Sequence, residues 1–439
     1  MILLYSESTS PRLQYTCSFI FKELLQADFS IITDAGEYAL YEGVKINYSK
    51  LPLAKEELRV ENAALLFESG ITLQATVCFE VNGYKAFFKS ATAVTDTDFP
   101  FDIFAAAFYL LSRYEEYLPH TTDMYGRYAH ENSLAFREDF LQLPLINTWV
   151  NDFVKAIMRK FPAFNKILSE VEAQPSTFSF IPTYDIDIAY AYKHKTLLRT
   201  VGGFLKSPSL EKMKVLAGNV KDPFDVYDWL DDFHKQHGLQ PIYFFLVAAK
   251  NAQYDKNNLP DTKAVKQLVD NHARKYEVGI HPSWQSGDNF LLMKKEKKCL
   301  QEIIGKPVTQ SRQHYIRFSL PHSYRRLSEA GITDDYSMGY GSINGFRASV
   351  ASSFYWYDLQ KEVATSLRVH PFCFMDANSF YEQQMSPEQA YHELVKYYNR
   401  CKEVNGTLCT VWHNNFLGSH GQFAGWRQCY EKFIALVQQ

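Results

Sequence analysis

The stretch that decides the fold is FSFIPTYDID, residues 178–187. Its apolar and aromatic residues predict a β-strand, and the strand ends in two aspartates, Asp185 and Asp187. Side chains two positions apart in an extended chain leave the same face, so the Cα atoms of this pair lie roughly 6–7 Å apart. Two carboxylates this close do not both ionise freely without a positive partner. The pattern therefore predicts a bound metal or a pairing of one aspartate with Arg or His, unless the aspartates only cap the next helix.

Strands and helices alternate regularly in the sequence that follows. The hydrophobic pattern predicts seven strands, at residues 178–187, 241–247, 277–284, 311–318, 333–340, 366–374 and 407–413. It predicts six helices, at residues 225–236, 262–275, 291–304, 323–329, 387–404 and 425–437. Such alternation over about 260 residues is typical of an α/β fold with a parallel sheet. The stretch between Tyr340 and Ser366 shows no helical pattern and is predicted to be a long functional loop.

Six of the seven predicted strands carry ionisable or imidazole side chains near their ends. These side chains belong to Asp185 and Asp187, His281, Arg312 and His314, Asp334 and Asp335, His370, and His413. In parallel barrels and open α/β sheets, reacting groups gather where the carboxyl ends of the strands meet. The pattern predicts an enzyme, and carboxylates beside imidazoles resemble the ligand set of a hydrolytic Zn, Co or Fe site.

The residues upstream of this region form a separate part of the chain. A helical pattern over residues 149–172 ends in a polar run at residues 173–177, which predicts a domain boundary near residue 175. We therefore expect two domains, a smaller mixed α/β domain at residues 1–175 and a larger one at residues 176–439. The upstream domain shows no catalytic spacing, and the charges of residues 111–117 are expected to be solvated or paired.

Composition argues against several classes of function. The 439 residues contain 46 Lys and Arg against 49 Asp and Glu, so nothing favours nucleic acid as a partner. The longest apolar stretches reach about half of the ~18–20 residues of a membrane-spanning helix, so no membrane span is expected. The N-terminus is predicted to be a strand rather than a signal peptide. Seven Cys without a C-x-x-C spacing favour reduced thiols in a cytoplasmic protein.

The strand endings resemble the ordered motifs of a known family. The motifs are Thr-Tyr-Asp-Ile-Asp, Glu-Val-Gly-Ile-His, Arg-Gln-His-Tyr, Gly-Phe-Arg and Val-Trp-His. Their order over residues 176–439 is similar to that of the NodB-type polysaccharide deacetylases, which implies an incomplete (β/α)7 barrel. The upstream region resembles an N-terminal extension found in a bacterial subgroup of that family. The resemblance implies a metal-dependent hydrolase that removes N-acetyl or O-acetyl groups from a sugar or polysaccharide precursor.

The resemblance also implies roles for individual residues. Asp185 would act as the general base, and Arg312 would steady it. His413 would be the general acid that protonates the leaving amine. Tyr315 would offer its backbone N–H to the oxyanion.

The expected metal site departs from the family pattern. Asp187 and His281 match metal ligands of the family, and the expected ion is Zn, with Co or Fe as alternatives. The family normally has a second His four residues after the first, where this chain has Gln285. His314 is the candidate for the third ligand, because it shares a strand face with Arg312. There are two alternatives, a weaker site with two ligands and the absence of a catalytic metal.

Loops at the same end of the sheet supply candidate contacts to a sugar. Trp284, Tyr340 and Arg347 are expected to bind the substrate together with Tyr315, with ordinary loop packing as the alternative. Two other functions fit the sequence. One is a carbohydrate-binding protein whose metal site has decayed, and the other is a C–N hydrolase that acts on a small amide. The aromatic loop and the extra domain favour a carbohydrate, whereas the sequence predicts no oligomeric state.

Overall fold

The computed structural model describes residues 1–91, 98–164, 177–195 and 210–438. Its strands form one sheet of nine, one of four and one hairpin. They are β1 (Ile2–Tyr5), β2 (Phe29–Ile32), β3 (Val44–Asn47), β4 (Leu58–Arg59), β5 (Phe79–Val81), β6 (Tyr84–Ala86), β7 (Ser179–Ile186), β8 (Ile242–Phe245), β9 (Glu277–Ile280), β10 (Gln310–Ser311), β11 (Asp334–Asp335), β12 (Phe354–Asp358), β13 (Val363–Val369), β14 (Phe374–Met375) and β15 (Thr407–His413).

Capping residues mark the ends of several of the helices. The α-helices are Pro11–Cys17, Ala35–Leu40, Ile103–Leu111, Leu134–Arg137, Leu145–Lys160, Leu210–Leu216, Tyr227–His237, Lys263–Ala273, Phe290–Ile304, His322–Glu329, Pro387–Glu403, Asn414–Leu417 and Trp426–Val437. Ser386 and Gln389 form a capping box at the start of one of them. Gly305 ends another with a φ of 67°, a left-handed conformation that glycine adopts without a Cβ clash. None of the helices in the described ranges combines the length and hydropathy needed to cross a bilayer.

The nine-stranded sheet confirms the predicted parallel α/β organisation. Its order is β12-β13-β11-β10-β9-β8-β7-β15-β14, and all neighbours are parallel except β12 and β13. The register places Asp185 at the end of β7 opposite His413 at the end of β15. The carboxyl ends of the parallel strands therefore meet at one edge, as the sequence predicts.

The sheet is strongly curled. The predicted strand at residues 366–374 is divided into β13 and β14, which lie towards opposite ends of the strand order. The chain from Val369 to Phe374 spans at most about 18 Å. In a flat sheet, seven strand spacings would separate β13 from β14 by about 34 Å. The two ends of the sheet therefore approach each other, but the described strands do not close into a hydrogen-bonded ring, so the incomplete (β/α)7 barrel stays a prediction.

Several predicted elements are corrected by the structure. The stretch predicted as a long loop contains β12, an antiparallel strand in which Phe354 and Trp356 are buried and Tyr355 is exposed. The strands predicted at residues 277–284, 311–318 and 333–340 are shorter. After Ile280 and Ser311 the chain leaves the ladder and continues into the 3₁₀ turns Trp284–Asp288 and His314–Ile316. Aromatic and apolar residues continue past the strand ends because they line the core, so hydrophobicity alone overestimates strand length.

The N-terminal part has its own sheet and shares a core with the rest of the chain. Strands β1 to β4 form a parallel sheet in the order β2-β1-β3-β4. One continuous apolar core extends from this part into the nine-stranded sheet. The ring of Tyr357 on β12 lies 5.0 Å from that of Tyr15 and 5.1 Å from that of Phe108. The predicted boundary near residue 175, and the predicted helix beyond residue 164, lie outside the described residues.

Candidate metal centre

Three side chains at strand ends form a cluster suited to a metal ion. Asp187 follows β7, His281 follows β9, and His314 begins the turn after β10. One ligand atom from each lies within 4.8 Å of the other two. Nε2 of His281 is 3.2 Å from Oδ1 of Asp187, and Nε2 of His314 is 3.5 Å from Oδ2. We call these three residues the triad.

Both histidines of the triad are held with Nε2 towards Asp187. Nδ1 of His281 donates to the carbonyl oxygen of Arg312 at 2.5 Å. Nδ1 of His314 donates to Oδ1 of Asp255 at 2.9 Å. A ring that carries its proton on Nδ1 presents a lone pair at Nε2, which is how metal-binding histidines are usually oriented.

The electrostatics of the triad favour a cation. Burial raises the pKa of Asp187, but nearby histidines, His314 first, lower it well below its usual value. Burial lowers the pKa of His314, but Asp187 and Asp255 raise it to about 9. Oδ1 of Asp187 is buried and has no hydrogen-bond donor within the described part of the chain. A buried carboxylate oxygen without a donor is costly, so this donor set fits a divalent metal.

Asp185 lies beside the triad and is held by Arg312. Nη1 of Arg312 donates to Oδ1 of Asp185 at 2.9 Å and to Oγ1 of Thr183 at 2.6 Å. Nε of the same guanidinium donates to the carbonyl oxygen of Tyr336 at 2.9 Å. Oδ2 of Asp185 lies 3.8 Å from Nε2 of His281. The arrangement fixes the carboxyl group and leaves one of its oxygens facing the triad, which suits a general base.

His413 approaches the triad from β15. Its Nδ1 lies 2.6 Å from Oδ1 of Asp376, and its backbone N–H donates to Oδ2 at 2.7 Å. Its Nε2 lies 3.7 Å from Oδ2 of Asp187. Burial lowers the pKa of His413, but Asp376, and after it Asp187 and Asp185, raise it to about 10. A protonated imidazole at this position can give a proton to a leaving group.

Gln285 contributes to the site through Asp255, a residue that the sequence analysis missed. Nε2 of Gln285 and the backbone N–H of Trp284 donate to Asp255 at 2.9 and 2.8 Å. Asp255 is fully buried, and its carboxylate also accepts from the backbone N–H of Gln285 at 3.3 Å and from His314. In sequence it is one aspartate in a polar loop after β8, with no spacing that distinguishes it from other loop aspartates. Asp376, which directly follows β14, was also missed, because the strand predicted at residues 366–374 ended two residues before it.

These groups surround one cavity of about 440 Å³. Its lining residues include Tyr125, Arg127, Asp185, Asp187, Tyr254, His281, His314, Tyr315, Tyr381, Glu382 and His413. The N-terminal part therefore supplies one wall through Tyr125 and Arg127. Neither residue could be found from sequence, because they lie more than 50 residues from the first motif and show no catalytic spacing.

Two of the predicted substrate contacts lie at or near the cavity. Tyr315 lines it directly, with a φ of 59° in the turn after β10. Trp284 is not among the lining residues. The centroid of its ring lies 4.8 Å from that of Tyr254, with the two rings tilted by 48°, and the guanidinium of Arg317 lies 4.1 Å from the Trp284 centroid. Trp284 therefore packs behind Tyr254, which lines the cavity.

The other two predicted substrate contacts, Tyr340 and Arg347, do not line the cavity. Arg347 is 1% exposed, and its Nη2 donates to Glu116 at 2.7 Å. The hydroxyl of Tyr340 accepts from Arg113 at 3.3 Å. Arg113 and Glu116 belong to residues 111–117, whose charges are therefore buried and paired rather than solvated. Tyr340 and Arg347 therefore contact the N-terminal part of the chain rather than the cavity.

Comparison with known proteins gives one family match and several structural similarities. A family of unknown function, DUF7033, matches residues 2–162. No curated protein gives a significant match. A protein assigned as a polysaccharide deacetylase from Mycobacterium smegmatis has a TM-score of 0.40 and 16% identity, covering 60% of this chain and 84% of that one. A probable polysaccharide deacetylase from Pseudomonas aeruginosa PAO1 has a TM-score of 0.39 and 13% identity, and the match covers 60% of this chain and 86% of that one. The Puue allantoinase has a TM-score of 0.39 and 12% identity, and the match covers 60% of this chain and 86% of that one.

Proposed function

We propose that this chain is a metal-dependent hydrolase that removes acetyl groups from an acetamido sugar, either free or within a polysaccharide precursor. The observation that carries the proposal is the arrangement of three parts around one cavity. These parts are the triad, the Asp185 and Arg312 pair, and the His413 and Asp376 pair. They match the functions that hydrolysis of an amide requires, and the order of the strand-end motifs supports the same class.

The side chains divide the proton transfers between them. Asp185 takes a proton from the water whose oxygen attacks the acetyl carbon, and Arg312 keeps that carboxyl group oriented beforehand. As the C–N bond breaks, His413 gives its proton to the nitrogen, so that acetate and a free amine leave. Each positioned transfer commonly contributes about 10² to 10⁴ in rate. Asp376 keeps His413 protonated and oriented until then.

Asp187, His281 and His314 would hold the metal, and Zn is the ion that we expect from this mixed oxygen and nitrogen set. When bound, such an ion polarises a carbonyl oxygen and makes water more acidic. The four tyrosines that line the cavity favour a sugar as the substrate, because aromatic faces pack well against sugar rings. The seven cysteines are free, which fits a reducing compartment such as the cytoplasm, and that localisation stays a prediction.

Acetate release from N-acetylglucosamine and its oligomers, measured with enzyme loaded with Zn, Co or Fe, tests the proposal. We expect turnover with at least one metal, loss after treatment with a chelator, and recovery when the metal is restored. Turnover that persists in metal-free protein would contradict the metal dependence. Absence of acetate release from every acetylated sugar and small amide tested, with metal bound, would contradict the hydrolase assignment.

A further inference from the structure

A compact turn of the N-terminal part reaches the candidate site. Residues 121–128, which we call the rim segment, are held by Asp123, whose Oδ1 accepts from the backbone N–H groups of Tyr125 and Arg127 at 2.9 and 3.0 Å. An isolated antiparallel bridge joins Thr122 to Tyr128 at the base of the turn. The segment therefore has a defined conformation before any ligand binds.

Arg127 ties the rim segment to the loops of the site. Its Nη1 donates to the carbonyl oxygens of Tyr315 at 3.0 Å and Gly341 at 2.9 Å. Its Nε donates to Asp123 at 2.5 Å, and the residue is 5% exposed. A Cβ added to Gly341 would lie 2.2 Å from Nη1 of Arg127. Only glycine allows this close approach, so the guanidinium fixes the rim segment against the turn that carries His314.

The rim segment completes an aromatic surface. The ring centroid of Tyr125 lies 5.1 Å from that of Tyr315 and 5.6 Å from that of Tyr254, and the last two are 5.5 Å apart. We call these three residues the tyrosine face. All three line the cavity and are half-buried, so each ring keeps part of its surface towards the space beside the triad. The ring of Tyr315 lies 4.6 Å from that of His314.

We propose that the tyrosine face binds the sugar ring of the substrate, and that Tyr125 makes the N-terminal part a determinant of substrate specificity. The inference rests on the proposed function, since it places the ring beside an acetamide held at the triad. A tyrosine offers an apolar ring face that packs against the C–H groups of a sugar ring. Because Arg127 fixes the segment, the ring contact is preformed and costs little ordering on binding. An acetamide without a ring gains nothing from this surface.

Two probes that share the acetamide but differ in the ring test the inference. We compare N-acetylglucosamine with N-acetylethanolamine on metal-loaded full-length protein, in wild type, Tyr125→Ala, Tyr125→Phe and Met124→Ala. Met124 is 80% exposed, adjoins Tyr125 and does not line the cavity, so its variant controls for disturbance of the turn. Calorimetric binding of N-acetylglucosamine is measured in parallel on an Asp185→Asn background, so that hydrolysis does not interfere.

We expect Tyr125→Ala to weaken binding of N-acetylglucosamine and raise its KM by about fivefold to tenfold. Tyr125→Phe and Met124→Ala should bind it like wild type, and the KM for N-acetylethanolamine should be unchanged in all variants. Equal effects on both probes, no effect of Tyr125→Ala, or no binding of N-acetylglucosamine to metal-loaded protein would overturn the inference. If neither probe is hydrolysed but binding follows the expected pattern, the inference stands and the proposed function fails.

Discussion

The carboxylate of Asp255 lies 2.9 Å from Nδ1 of His314 and accepts another hydrogen bond of 2.9 Å from Nε2 of Gln285. Gln285 occupies the position where the resembling family has a second histidine. We infer that this chain takes its second nitrogen ligand, His314, from the next strand end instead. In this interpretation Gln285 does not bind the metal. It donates to the carboxylate of Asp255, which in turn orients His314.

The first prediction concerns this chain of hydrogen bonds. Asp255→Asn keeps the size of the side chain but removes the charge that favours the Nδ1 proton on His314. Loss of such a partner typically weakens metal binding by about 10- to 100-fold. Competition with a chromophoric chelator measures the affinity, and thermal unfolding of the metal-free proteins checks that the fold is kept. An unchanged affinity would show that His314 does not depend on Asp255.

The general base is tested separately from the metal. Asp185→Asn cannot take up a proton from water, so we expect kcat to fall by about 10² to 10⁴. Metal content, measured by mass spectrometry, should stay at the wild-type level because Asp185 is outside the triad. Near-normal turnover in this variant would refute the base assignment, whereas loss of metal would mean that Asp185 is itself a ligand.

The pH dependence of hydrolysis tests the pair formed by His413 and Asp376. The imidazole has to be protonated to act as an acid, so the rate falls as pH rises through its pKa. Burial lowers this pKa, and the carboxylate of Asp376 is the main group that raises it, to about 10. Asp376→Asn removes that charge, so the alkaline limb of the profile of kcat/KM should move to lower pH by about one unit or more. A limb that stays in place or moves to higher pH would contradict the pairing.

The sequence could predict the strand-end groups because they follow a simple periodic rule. Asp185, Asp187 and His413 lie at the ends of strands with clear hydrophobic patterns, and parallel pairing brings such ends together. Asp255, which orients His314, lies in the loop after β8, and a loop leaves no periodic signal, so this carboxylate could be found only in the structure. Asp376, which orients His413, directly follows β14, but the strand predicted at residues 366–374 ended before it.

The contacts between the two parts of the chain were equally hidden. Tyr340 and Arg347 lie near the predicted site in sequence. Nothing in the sequence shows that their polar groups would instead form hydrogen bonds with Arg113 and Glu116. The predicted sixth strand is divided into β13 and β14 by the segment that contains His370 and Pro371. Proline cannot donate a hydrogen bond to a strand ladder, so Pro371 was a signal in the sequence that the prediction did not use.

Glu116 forms a buried ion pair with Arg347 that links the N-terminal part to the rest of the chain, so its removal is expected to lower the stability of the protein markedly. Glu116 accepts from Nε of Arg347 and Nε of Arg113, both at 2.8 Å, and all three residues are buried. Glu116→Ala leaves two buried guanidinium groups without this partner and should lower the free energy of unfolding by about 3–5 kcal/mol.

An exposed ion pair provides the matched control for this stability measurement. Lys298 and Glu302 lie 3.7 Å apart with both side chains more than 60% exposed. Glu302→Ala should change the free energy of unfolding by no more than about 0.5 kcal/mol. Chemical denaturation of both variants gives the comparison. Similar small losses in the two would show that the charges of residues 111–117 do not hold the two parts together.

The metal centre is tested most directly by the metal content of purified wild-type and His314→Ala protein after equilibration with Zn and removal of excess ion. We expect one tightly bound ion per wild-type chain, held by Asp187, His281 and His314, and a loss of nearly all of it in His314→Ala. A His314→Ala protein that retains one ion per chain with wild-type affinity would contradict the assignment of His314 as a ligand. A wild-type chain that binds no ion would contradict the metal centre as a whole.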